Sequence, residues 1–147
     1  MEINSCSSKA THIALWRRIP HPDTLVSGGP EIDVILQTER AIIFCEAKWR
    51  SNVGRAQGKD RSKDQITLRR EFFEKYGEVI YGAEPHFVVL GISLNGDIIQ
   101  QGEPQRKQGR LCLRDITWDA ICDIEGHPNA QEVRSYLKWK KQNSIQA

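Results

Sequence analysis

The chain has 147 residues, 39% of them hydrophobic and 27% charged, with a formal net charge of +2; this is enough for one domain with its own core, and too balanced to argue for nucleic acid on charge alone. No apolar run approaches the ~18 residues of a membrane-spanning helix, and Met1-Glu2-Ile3-Asn4 opens no signal peptide, so a cytoplasmic protein without membrane contact is expected. Cys6, Cys45, Cys112 and Cys122 are widely spaced with no C-x-x-C pair, which suggests neither a zinc site nor a disulfide framework; Cys45 and Cys122 fall in apolar runs, as buried thiols do.

In chain order, residues 1 to 7 read as a loose terminus. Ser7 or Ser8 can cap a helix that reaches about Ile19 and closes at Pro20, with Ile13, Trp16 and Ile19 on its buried side. His12 and His21 are isolated and read as surface residues rather than metal ligands. Thr24-Leu25-Val26 reads as a short first strand, and Ser27-Gly28-Gly29-Pro30 as a turn in which the glycine pair lets backbone or substrate come close.

Gly29 to Leu36 and Ala41 to Lys48 are rich in β-branched and aliphatic residues, and the short polar break between them predicts a hairpin. With Ile35 facing Phe44 and Gln37 facing Ile42, the loop is Thr38 to Ala41 or Glu39-Arg40 alone, and Asp33 faces Glu46. Alternation then puts Lys48 on the face of Glu46, while Ile32, Val34 and Leu36 turn to the other face with Cys45 and Ala47. Two carboxylates opposite one another repel. A divalent cation removes the conflict: Mg²⁺ prefers hard oxygens and commonly uses one or two protein carboxylates. Asp33, Glu46 and the main-chain carbonyl of Ala47 are the expected donors, with Glu31, on the strand face of Asp33, as an additional one. An ion there activates water and neutralises a phosphodiester, and Lys48 orients the attacking water or stabilises the developing oxyanion.

From Lys48 to Arg70 eight Lys or Arg stand against two acids, Asp60 and Asp64, the one basic concentration in the chain. Arg50, Arg55, Lys59, Arg61, Lys63 and Arg69 are expected to lie along a phosphate backbone, a solvated loop being the plainer reading. Ser62 opens a helix to about Tyr76, stopped by Gly77, with Ile66 and Phe73 on its core face. Val79-Ile80-Tyr81 reads as a short edge strand and His86 to Leu94 as a strand buried on both faces. Arg110 to Arg114 alternates as a late strand. Thr117 caps a short helix over residues 118–122, and a last helix follows His127-Pro128-Asn129, its basic end Lys138-Trp139-Lys140-Lys141 suiting the helix dipole or a contact with DNA or a second copy.

Gly29-Pro30-Glu31-Ile32-Asp33 followed by Glu46-Ala47-Lys48 resembles the PD-(D/E)XK nuclease superfamily, with Pro30-Glu31-Ile32 before Asp33 in place of a literal Pro-Asp. The resemblance covers roughly residues 8 to 94. It implies an α/β domain over residues 1–147 with a restriction-endonuclease-like core, a central mixed sheet flanked by helices in the order αβββαβ, followed by a strand and helices over about 110–142. It further implies an Asp on the second core strand and an acid-x-Lys on the third that bind Mg²⁺, with Mn²⁺ as substitute, and cut DNA, which casts Asp33, Glu46 and Lys48 as catalytic. Gln65 matches a Gln that in several branches supports water or phosphate at the start of the next helix, although Ser62-Lys63-Asp64-Gln65 also fits a capping box; Arg69 stands where those branches often carry Tyr. The expected activity is a Mg²⁺-dependent endonuclease on DNA, a homodimer if both strands are cut. The alternatives are a nucleic-acid-binding module that cuts nothing, within a larger assembly, and an α/β interaction protein in which Lys48 salt-bridges Glu46 and Asp33.

Overall fold

The apolar run from Ala41 to Ala47 forms strand β3, and its neighbours follow from its two edges. In the computed structural model, residues 10–23, 28–50, 63–99 and 107–144 are described. Among them β1 (Ala10–Arg18), β2 (Glu31–Thr38), β3, β4 (His86–Ser93), β5 (Lys107–Gln108) and β6 (Leu111–Thr117) make one mixed sheet in the order β1-β2-β3-β4-β6-β5. β1, β2 and β3 run antiparallel as a meander, whereas β3, β4 and β6 run parallel. The fold is α/β, and the crossover from β3 to β4 carries helix α1 (Gln65–Tyr81).

The hairpin has the expected register, with Ile35 opposite Phe44 and Gln37 opposite Ile42. It turns without Gly or Asn because the Thr38 hydroxyl accepts from the N–H groups of Arg40 and Ala41, at 3.2 and 2.9 Å. Residues 10–18, expected as a helix, are strand β1 instead, so the order opens β-β-β rather than αβββ. β2 would otherwise leave a row of unpaired backbone groups, and Thr11 and Ile13 suit a strand, so pairing overrides the local helical spacing. The residues read as that helix's buried side part company accordingly: Ile19 is buried, while Ile13 and Trp16 are largely exposed. The expected strand at Thr24 to Val26 lies outside the described residues.

Helix α1 starts later and ends later than its sequence signals imply. Its N-cap is Asp64, whose carboxylate accepts from the Thr67 N–H at 2.7 Å, so Gln65 is the first helical residue and not the closing member of a capping box. Gly77 is no stop: it is buried inside the helix, where a Cβ would lie 3.0 Å from the Phe87 ring. The glycine serves close packing, the helix continues to a C-cap at Gly82, and Val79 to Tyr81 are helical rather than an edge strand. Ile66, Phe72 and Phe73 press on Phe44, Phe87 and Val89 of the sheet, with Phe73 stacked between Phe44 at 4.0 Å and Phe87 at 5.0 Å.

After β6, Thr117 caps α2 (Trp118–Cys122) by accepting from the Ala120 N–H, and α3 (Ala130–Asn143) packs against α2, burying Leu137. Cys122 is half-buried rather than buried. Among the described residues no helix is long and apolar enough to cross a membrane.

Gly29 shows why the glycine pair stands before β2. The Ile19 N–H donates to the Pro30 carbonyl at 3.0 Å, and a Cβ on Gly29 would lie 2.0 Å from the Ile19 carbonyl oxygen. Backbone cannot yield as a flexible side chain does, so Gly29→Ala is expected to cost roughly 2–3 kcal/mol, read as a lower urea midpoint at unchanged m-value.

Candidate active site

The ladder between β2 and β3 stops at Val34 and Cys45. Continued in register, the Ala47 N–H would meet the Ile32 carbonyl; it donates instead to Asp33 Oδ2 at 2.8 Å. β2 therefore leaves β3 here, with the Asp33 carboxylate standing in for a ladder acceptor. Ile32, just before Asp33, is wholly buried in the main core cluster and stays paired with Arg17 of β1. Ala47 directs its N–H, and with it its carbonyl, toward the β2 side.

Next to Asp33 the structure places Glu46, whose side chain is 1% exposed. Lys48 Nζ lies 2.7 Å from Glu46 Oε1, an ion pair without hydrogen-bond alignment. Arg69 of α1 donates from Nη2 to Glu46 Oε2 at 3.2 Å and to the Glu31 carbonyl at 2.6 Å. One carboxylate is thus held by a cation on each oxygen, at the carboxyl end of a parallel strand, where open α/β sheets place their ligand crevices. Burial draws the Arg69 guanidinium below arginine's ordinary range, against the opposing pull of Glu46 and Asp33. Burial also pushes the Cys45 thiol up to about 12, with a smaller push from Asp33.

The row across the sheet adds two residues that the sequence reading missed. Glu46 pairs with Gly91 and Gly91 with Asp115, so the three stand side by side. A Cβ on Gly91 would lie 2.4 Å from Asp115 Oδ1, so Asp115 leans across Gly91, and both of its oxygens accept from the Ile99 N–H at 3.1 Å. This carboxylate fastens the chain after β4 beside the site. The glycine inside an apolar strand was the available signal.

The remaining candidates divide. Gln65 lies one turn before Arg69, with its Oε1 buried and without a hydrogen-bond partner among the described residues. Glu31 joins the site through its carbonyl, while its exposed side chain faces Arg18 at 3.4 Å. Arg55, Lys59 and Arg61 lie outside the described residues. Lys63 pairs with Glu71 at 2.8 Å. Arg69, expected on a phosphate, is instead turned inward onto Glu46, since a buried carboxylate needs a counter-charge nearby. Arg50, also expected on a phosphate, donates to Ser144 Oγ and to the Lys141 carbonyl, each at 2.9 Å, completing the C-terminus of α3.

That contact belongs to a latch which fixes Lys48. The Lys48 N–H extends the parallel ladder to the Ile92 carbonyl, and its own carbonyl accepts from Trp118 Nε1, both at 2.8 Å. Trp49 Nε1 donates to Ser144 Oγ at 2.8 Å, and Lys140 lies over the Trp49 ring at 4.4 Å. The basic end of α3 is thus partly turned onto the protein, with Lys141 paired to Asp119. Nothing in the sequence announced this beyond the tryptophans.

No group of three or more His, Cys, Asp or Glu side chains among the described residues is arranged to hold a metal ion. Asp33 and Glu46 with the Ala47 carbonyl fit the one or two carboxylates that Mg²⁺ commonly takes from protein, provided Glu46 is released by a cation. Comparison of the chain with protein-family models, with curated proteins and with solved structures finds no match.

Cys45, beside Glu46, gives this buried end of β3 a pH signature. The thiol's ordinary value of 9.0 is raised to about 12, so its contribution to stability is whole below pH 9 and is lost as pH climbs toward 12. The stability advantage of wild type over Cys45→Ala is expected to shrink between about pH 9 and about pH 11, by at most about 1.4 kcal/mol per pH unit. Urea midpoints of the two proteins across that range give the difference.

Proposed function

We propose that the chain is a Mg²⁺-dependent nuclease that hydrolyses phosphodiester bonds in DNA, an endonuclease with a restriction-endonuclease-like core. The observation that carries this reading is the buried Glu46 beside Asp33 and in contact with Lys48, at the carboxyl end of a parallel strand. The topology supports it: Asp33 lies on the second strand of the meander, Glu46 on the third with Lys48 just after it, and a crossover helix leads to a parallel fourth.

In this reading Asp33, Glu46 and the Ala47 carbonyl hold the divalent ion, which when bound neutralises the phosphodiester and makes water a better nucleophile. Lys48, its backbone fixed on both sides, presents its ammonium to the attacking water or the developing oxyanion. Gln65 supports with an oxygen that has no partner among the described residues. Lys63 and the basic run after Arg50 follow the phosphate backbone.

The Glu46–Lys48 ion pair favours one further reading, an α/β interaction domain in which these charges are structural. The two separate on addition of metal, since an ion bound only by the folded state raises the melting temperature and the structural reading expects no shift.

Asp33→Asn tests the nuclease directly, because the asparagine oxygen can still accept from the Ala47 N–H and keep the fold. On labelled single-stranded, duplex, flapped and four-way-junction DNA, wild type is expected to cut with Mg²⁺ or Mn²⁺ and not with EDTA, and the variant to lose roughly 100-fold or more. Undiminished cleavage by a folded variant would remove Asp33 from the site.

A further inference from the structure

Arg69 is bound unequally to its two acceptors. The bond to the Glu31 carbonyl is 2.6 Å long and that to Glu46 Oε2 is 3.2 Å, so the guanidinium is anchored on backbone and held more loosely by the carboxylate. Its Nε is buried without a hydrogen-bond partner among the described residues. One turn away on the same helix, Gln65 Oε1 is a buried acceptor in the same condition. Residues four apart share a helix face, so the side chains that carry the orphan donor and the orphan acceptor leave α1 on the same side.

The charges give this a direction. Asp33, Glu46, Lys48 and Arg69 sum to zero, and a divalent cation entering that cluster would meet a guanidinium on the oxygen it needs. We infer that Arg69 is a displaceable counter-ion: without metal it holds Glu46 Oε2, and a divalent cation moves it off the carboxylate and onto Gln65 Oε1, while the Glu31 carbonyl keeps its anchor. Arg69 is a positioning residue in this scheme, and it sets the metal affinity of the site by competing for Glu46. The inference rests on the metal-dependent reading above.

The test is Mn²⁺ binding by calorimetry, without DNA, to wild type, Arg69→Met, Gln65→Leu and the double variant, each measured with and without Asp33→Asn. Arg69→Met is expected to bind Mn²⁺ about tenfold more tightly, since a like charge has left the site, whereas a merely structural Arg69 would leave binding unchanged or weaker. Gln65→Leu is expected to weaken binding when Arg69 is present and to have no effect when it is Met. Equal weakening in both backgrounds would show that Gln65 acts on the ion itself and would overturn the transfer. Arg110→Gln, just before β6 and paired with Glu78 near the far end of α1, is the control for loss of a positive charge and should leave the affinity unchanged.

Should Arg69→Met fail to fold, wild type answers alone: its Arg69 Nε–H resonance must shift on titration with Mg²⁺, and an unchanged resonance at saturation overturns the inference. Binding that requires Asp33 but is no tighter without Arg69 defeats this inference and leaves the metal site standing. Absence of Asp33-dependent binding in every protein defeats both.

Discussion

A carboxylate removed from water must be given counter-charge, and around Glu46 that requirement organises three elements at once. An isolated buried carboxylate costs several kcal/mol even after relaxation. Here Lys48 approaches one oxygen and Arg69 the other. Arg69 comes from α1 and also holds the Glu31 carbonyl of β2, so the pair that neutralises β3 fastens the crossover helix to two strands. The aromatic stack of Phe44, Phe73 and Phe87 supplies the apolar part of the same contact. Packing sets the distance of α1 from the sheet, and the arginine sets where along it the helix meets the site.

The segment after Glu46 is held with comparable care. The Lys48 backbone is bonded to β4 on one side and to Trp118 on the other, while Trp49 and Arg50 reach the end of α3. The bonds to Trp118 and to the end of α3 bridge sequence separations of 70 to 95 residues, so the C-terminal helices serve the centre of the sheet. A side chain meant to act on a substrate gains from a backbone that cannot drift. The partners are indole and guanidinium N–H groups, the Ser144 hydroxyl and the Lys141 carbonyl at the end of α3.

How much of this the sequence revealed depended on the range of the interaction concerned. The hairpin, its register and the grouping of Asp33, Glu46 and Lys48 were legible because alternation is strict over a few residues and a β-branched run leaves few alternatives. The first strand was misread as a helix, since Ile13, Trp16 and Ile19 have helical spacing and only the unpaired edge of β2, a tertiary fact, decides against it. Gly77 was misread as a stop because the Phe87 ring that requires a glycine there lies on β4. Arg69 was assigned to solvent and phosphate, as a charged residue on a helix ordinarily is, and the partner that draws it inward stands on another element. The Asp115–Gly91 contact and the Trp49–Trp118–Ser144 latch were illegible for the same reason. The basic segment at residues 51–62 lies outside the described residues, so it contributes through composition alone.

The unsatisfied groups bear most directly on what the site is for. A structural ion pair needs one cation for one carboxylate and leaves nothing over; well-packed apolar residues would stabilise the fold as well or better. Here both cations, Lys48 and Arg69, lie on the one carboxylate of Glu46, and Gln65 Oε1 and Arg69 Nε are buried without partners among the described residues. Each such atom costs on the order of 1–3 kcal/mol. A fold gains no stability by keeping a costly donor beside a costly acceptor on one helix face. The cost is understandable if the two meet in a second arrangement of the same side chains, with Glu46 released from its arginine. The departure of β2 from the ladder at Asp33 fits the same account, since a closed hairpin would satisfy the Ala47 N–H with backbone and leave the aspartate without a place between the strands. The local irregularities thus fall together, within a few residues of the one carboxylate that the fold has gone furthest to bury.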